Sequence, residues 1–153
     1  MNRQQFLKGL LATAAAASFA SAHASGATAP EAEAMVKRAV AYIKQNGAEK
    51  AYEEFTHGKT FRDRELYVIV YDLNGKNLAH GANAKLVGKD LIGMKDPDGK
   101  LLNKMLVDLA KEKGKGWSEE FKFRNPVNDE IQRRKVYVER VGDTFVGTGI
   151  FLD

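Results

Sequence analysis

The sequence predicts one α+β domain, an antiparallel sheet with helices set apart from it. Three observations carry this. Apolar residues recur at helical spacing from Ala32 to Ile43 and from Leu101 to Leu109. Runs rich in β-branched and aromatic residues lie between and after these stretches. The pairs Asn74-Gly75 and Gly142-Asp143 join neighbouring strands by tight turns, which argues against the long crossovers of a doubly wound sheet. The chain has 153 residues and no cysteine, so its core forms without disulfides, and thiolate metal sites, c-type haem attachment and cysteine nucleophiles are excluded.

Residues 1–24 read as a secretory signal. A basic start (Arg3, Lys8) leads into the apolar run Leu10 to Ala20 and the small-residue box Ala22-His23-Ala24, which places cleavage after Ala24. The apolar run is short for a bilayer core of roughly 30 Å, and an uncleaved anchor is the alternative. Arg3-Gln4-Gln5-Phe6-Leu7-Lys8 resembles a twin-arginine signal whose second arginine is glutamine, so both export routes stay open. Either leads to the periplasm. Residues 25–31 then serve as a short linker and 32–153 as one domain, the usual size for a single core. The formal charge is +4, and two of those positive charges, Arg3 and Lys8, leave with the signal. What remains is too weak to imply nucleic acid.

Along the domain, Pro30 opens a helix with Glu31 and Glu33 in its first turn and Ala32, Met35, Val36, Ala39, Val40 and Ile43 on one face. Asn46-Gly47 interrupts it, and Ala48, Ala51, Tyr52 and Phe55 continue it until Gly58. Leu66 to Tyr71 reads as a central strand covered on both faces, with Asn77 to His80 as its hairpin partner. After a glycine-bearing loop, Lys95-Asp96-Pro97-Asp98-Gly99 is a turn expected to cap a second helix, Leu101 to Leu109, which Gly114 stops. Trp117, Phe121 and Phe123 alternate with polar residues as one half-buried strand up to Asn125-Pro126. Two longer strands close the chain, Ile131 to Val141 and Thr144 to Leu152, giving five in all.

Most site chemistries find no support in these residues. His57 and His80 are the only histidines beyond the signal and lack the spacing of a zinc helix, so no metal is expected. Ser118 lacks the glycines of a nucleophile elbow, and Asp96-Pro97-Asp98-Gly99 lacks the later oxygens of a calcium loop. No phosphate-cradling glycine motif occurs, and no cofactor is expected. Arg133-Arg134-Lys135 cannot form one patch, because strand neighbours point to opposite faces. The run is split between solvent and pocket.

The segment Asp63 to Leu86, with Val87-Gly88-Lys89 after it, resembles the signature of single Cache domains. Asp96-Pro97-Asp98-Gly99-Lys100, Gly116-Trp117, Asn125-Pro126, Lys135-Val136-Tyr137-Val138-Glu139 and Gly147-Thr148-Gly149-Ile150 extend the likeness over nearly the whole domain. The resemblance implies a PAS-like architecture: a long amino-terminal helix on one face of a five-stranded antiparallel sheet and a ligand pocket on the other. It also implies recognition of small molecules, commonly short organic acids, by extracytoplasmic sensors. Gly81 and Ala84 stand where the family usually carries proline, so a looser loop is expected there. Such sensors usually carry membrane helices and an output domain. The present sequence is therefore read as a free-standing domain that acts through a separate membrane sensor or transporter partner, with a homodimer through the first helix as a further possibility.

A small carboxylate needs a cation, a few fixed donors and apolar walls. Lys135 and Tyr137 share a strand face opposite to Val136 and Val138, and are expected to supply the charge and a hydroxyl. Tyr67 and Tyr71 share a face of the central strand, His80 ends its partner, and Trp117 offers a wall or lid. Each also has a plain reading as a surface lysine, a core tyrosine or a packing tryptophan. The expectation is a binding domain rather than an enzyme; the alternative is an interaction domain with an occluded pocket.

Overall fold

The computed structural model describes residues 26–152, so the expected leader and its cleavage site lie outside the described residues. Helix α1 (Ala29–Asn46) starts where Thr28 and Glu31 cap each other: the Glu31 N–H donates to the Thr28 hydroxyl, and the Thr28 N–H donates to the Glu31 carboxylate at 2.7 Å. Gly47, at φ 84°, turns the chain into α2 (Ala48–His57), a backbone angle that favours glycine. No helix among the described residues is long and apolar enough to cross a membrane.

A two-stranded ribbon, β1 (Arg62–Asp63) with β2 (Leu66–Tyr67), precedes the main sheet. That sheet contains β3 (Ile69–Asp72), β4 (Asn77–His80), β5 (Lys115–Trp117), β6 (Phe121–Arg124), β7 (Ile131–Val141) and β8 (Thr144–Leu152). Its order is β4-β3-β8-β7-β5, with β6 also on β7, and every pairing is antiparallel. Both long carboxy-terminal strands have the expected bounds.

Two expected strands are each divided. The run from Leu66 to Tyr71 leaves the ribbon at Val68 and joins the main sheet at Ile69, because its first part pairs with β1 and its second with β4 and β8. The stretch from Trp117 to Phe123 breaks at Ser118, where the side chain takes over a ladder position: the Val136 N–H donates to the Ser118 hydroxyl at 3.0 Å. The sheet therefore has six strands rather than five.

The sheet has a covered face on each side. Val68, Val70, Tyr137 and Val146 pack toward α1 and α2, while Tyr67, Ile69, Tyr71, Val136, Val138 and Phe145 pack toward α3 (Leu102–Lys113). Over this second face runs the long connection of residues 81–101, with a 3-10 turn at Ala84–Leu86. Asp96 pins it. Its carboxylate accepts the N–H groups of Asp98, Lys100 and, across the gap, Lys122 of β6. These bonds hold its pKa below the ordinary aspartate value, that from Lys122 most strongly. Asp96 thus staples the loop to β6 instead of capping α3, whose first turn has no side-chain cap. At Gly81 the loop packs closely on the sheet and α2: a Cβ there would come 2.9 Å from Tyr67 Cβ and 3.1 Å from the Phe55 carbonyl.

Candidate functional site

A small cavity lies between the sheet, α3 and the long loop. Ile69, Val136 and Phe121 form its sheet side, Leu102 and Leu106 its helix side, and Leu86 and Met94 its loop side. Tyr71, His80, Asn103 and Arg134 bring polar groups to it. About 20 Å³ is open to the centre of a water molecule, room for roughly one water.

Arg134 dominates the electrostatics. It is 3% exposed, and no carboxylate pairs with it among the described residues. Its guanidinium sits against the rings of Tyr67, Phe123 and Phe151, at 4.9, 5.2 and 5.1 Å from their centroids. Nη1–H donates to the Tyr67 hydroxyl at 2.7 Å. Among the described residues Nε and Nη2 have no hydrogen-bond partner, and these two nitrogens form one edge of the fork that grips a carboxylate bidentately. The side chain finds its space over Gly149 of β8, where a Cβ would stand 2.5 Å from Nε.

His80 is the second polar group. Its Nδ1 accepts the backbone N–H of Ala82 at 3.2 Å and of Asn83 at 3.0 Å, so the proton of the neutral ring belongs on Nε2. Burial pushes its pKa down to about 4, with the positive charges of Arg134 and Arg62 acting the same way. The ring therefore stays neutral and offers the cavity a donor. Tyr71 sits at another wall, its hydroxyl pushed up to about 12 by burial despite the opposing hydrogen bonds of Asn77 and Asn103.

The six residues expected to surround one pocket are divided between the two faces. Tyr71 and His80 line the cavity, and Tyr67 adjoins it through Arg134 and its ring contact with His80 at 5.2 Å. Lys135, Tyr137 and Trp117 lie on the reverse, where α1 packs against Tyr137 and Trp117. The Tyr137 hydroxyl donates to Glu139, which together with burial raises its pKa. The indole N–H of Trp117 donates to Glu33 of α1 at 2.7 Å, and Lys135 is half-buried without lining the cavity. The expected grouping is corrected by one strand position. Alternation along β7 puts Arg134 and Lys135 on opposite faces, but which face holds the cavity depends on where α1 packs, and α1 packs on the Tyr137 side. Arg134 is the cation on the cavity face. Its signal in the sequence was the split of Arg133-Arg134-Lys135 between two faces, joined to the small residues of Gly147-Thr148-Gly149 across the ladder. Asn103, on the inner side of α3, had no such signal.

A long helix bracing one face of an antiparallel sheet, with a cavity and a buried cation on the other, is the architecture of a PAS-like sensory domain. The chain belongs to the Single Cache domain 2 family, which matches residues 3–153. Among curated proteins it is similar to the sensor histidine kinase MctS of Rhizobium johnstonii, at 30% identity over 59% of this chain and 20% of that protein. It is also similar to the methyl-accepting chemotaxis protein McpP of Pseudomonas putida, at 28% identity over 60% of this chain and 17% of that protein. The match thus spans about a fifth of each of these longer relatives. Among solved structures, a methyl-accepting chemotaxis protein from Vibrio parahaemolyticus superposes with a TM-score of 0.69 at 27% identity, covering 81% of this chain and 88% of that one. A Cache chemosensory domain described for carboxylic acid recognition shares the fold, with a TM-score of 0.64 at 23% identity over 81% of this chain and 88% of that one.

Proposed function

We propose that the domain is a periplasmic receptor for a short monocarboxylate, held by Arg134 and reported through a separate membrane sensor. The observation that carries this reading is the buried guanidinium with one whole edge, Nε and Nη2, lacking a partner among the described residues. An unpaired buried cation costs several kcal/mol, and a bound carboxylate would offset that cost. One cation favours one negative charge. His80 adds a neutral donor, and the rest of the lining is mostly apolar, which disfavours a second carboxylate. The narrowness of the cavity favours two- or three-carbon acids, for which Leu86 and Met94, each only half-buried, give way. The chemosensory domain described for carboxylic acid recognition supports the ligand class, and the kinase and chemoreceptor relatives support the partner class.

The test is a thermal-shift and calorimetry panel of acetate, propionate, lactate and the corresponding dicarboxylates. Monocarboxylates are expected to raise the Tm by mass action, dicarboxylates much less. Arg134→Met should weaken binding at least a hundredfold, about 2.7 kcal/mol, while leaving the fold as stable or more so, because an apolar isostere removes a buried charge. Lys135→Ala should leave affinity unchanged. Wild-type affinity in the Arg134→Met protein would sink the proposal. The tightness of the cavity favours a second reading, an interaction domain with an occluded pocket, and that reading gains if no acid in the panel shifts the Tm.

A further inference from the structure

Outside the cavity, on the far side of Tyr67, lies a groove of about 310 Å³ as measured for a water's centre, far roomier than the cavity itself. Arg62, Leu66 and Tyr67 of the β1–β2 ribbon form one wall, and Gly81, Pro126 and Val127 close the others. Arg62 and Tyr67 are direct partners across the ribbon, which puts their side chains on one side of it. The Tyr67 hydroxyl in turn accepts from Arg134. Tyr67 thus borders both the groove that Arg62 lines and the inner guanidinium of Arg134. Arg64, which also borders the groove, is tied to Glu31 and Asp63, whereas no carboxylate pairs with Arg62 among the described residues. Arg62 is close enough for its charge to bear on His80 inside the cavity.

We propose that this groove is a second, outer site for small carboxylate anions, with Arg62 as its cation, and that the ligand passes from it to Arg134 when Tyr67 swings aside. The inference rests on the receptor reading above. The groove is already open, while the cavity admits about one water. An exposed cation at its rim raises the local anion concentration and so speeds capture, in a manner that salt screens. The Tyr67–Arg134 bond is the element to be broken, and the anion replaces it as the guanidinium's partner.

The experiment uses 13C-labelled acetate and propionate with NMR line shapes to read association and dissociation rates. Arg62→Gln should lower kon roughly five- to tenfold at low ionic strength with koff unchanged, and the difference should vanish at about 0.5 M salt. Val127→Trp, at a position 66% exposed and so tolerant of substitution, should plug the groove. It should slow both rates by a similar factor and leave Kd within about twofold, since a wall that hinders passage affects both directions. If both variants exchange acetate at wild-type rates, the anion reaches the cavity another way and the outer site is overturned. If the wild type takes up neither acid, the receptor reading falls and this one with it.

Discussion

Arg134 keeps its charge inside the molecule with three aromatic faces and one hydroxyl, and without a counter-ion among the described residues. Cation–ring contacts contribute about 0.5–2 kcal/mol each, short of full hydration, so the residue is held by its surroundings rather than at rest. His80 gives this site its pH dependence. Its folded pKa of about 4 lies below the unfolded value of 6.5, so between these values the unfolded chain binds the proton and the native one does not. Stability is expected to fall as the pH drops from 6.5 to 4, by on the order of 3 kcal/mol, and then to level off. Denaturant titrations at stepped pH check this. His80→Gln should flatten that slope, and an unchanged slope would assign the acid sensitivity to other groups. Below pH 4 the protonated Nδ1 can no longer accept from Ala82 and Asn83, so the start of the long loop should loosen as well.

Strand β8 is the element on which the cation depends. Gly147 and Gly149 face the cavity side opposite Val138 and Val136, while Thr148, between them, donates its hydroxyl to the Tyr67 carbonyl at 2.6 Å. Neither glycine has a left-handed φ, so closeness rather than backbone freedom accounts for them. At Gly149 a Cβ would lie 2.5 Å from Arg134 Nε and 2.7 Å from the Lys135 carbonyl, and that backbone atom cannot step aside. Gly149→Ala is expected to cost about 1–3 kcal/mol and to displace the guanidinium, weakening acid binding. Chemical denaturation with a parallel titration reads both effects. The hairpin of β7 and β8 was legible because its turn and its alternation agree. The break at Ser118 was not, because nothing local announces that a hydroxyl will take a backbone partner's place in the ladder.

The molecule is a three-layer arrangement in which one sheet separates two different tasks. On the reverse face α1 locks onto β5 through Trp117 and Glu33 and buries the Tyr137 ring; on the front, α3 and the long loop enclose the cavity. The loop owes its position to bonds far apart in sequence, Asn103 to the Leu91 carbonyl and Lys122 to Asp96. Asp96→Ala should release the loop from β6, costing about 1–3 kcal/mol through the orphaned N–H groups. Faster amide exchange is expected around residues 94–103, with weaker retention of bound acid. Normal exchange there in the variant would show that α3 alone holds the loop in place.

Local chemistry was enough to place α1 and α2, the hairpin turns, the long last strands and the family resemblance. Capping groups, glycine stops and alternation act between residues that are near one another in the chain. The same alternation correctly divided Arg133, Arg134 and Lys135 between faces, but it is symmetric and assigns no face to a helix or to a cavity. Only the packing of α1 against the Tyr137 side settled that Arg134, and not Lys135, points into the enclosed space. The roles of Asp96 and Asn103 are tertiary in the same sense, since each hydrogen-bonds a segment that sequence distance alone could not have brought to it.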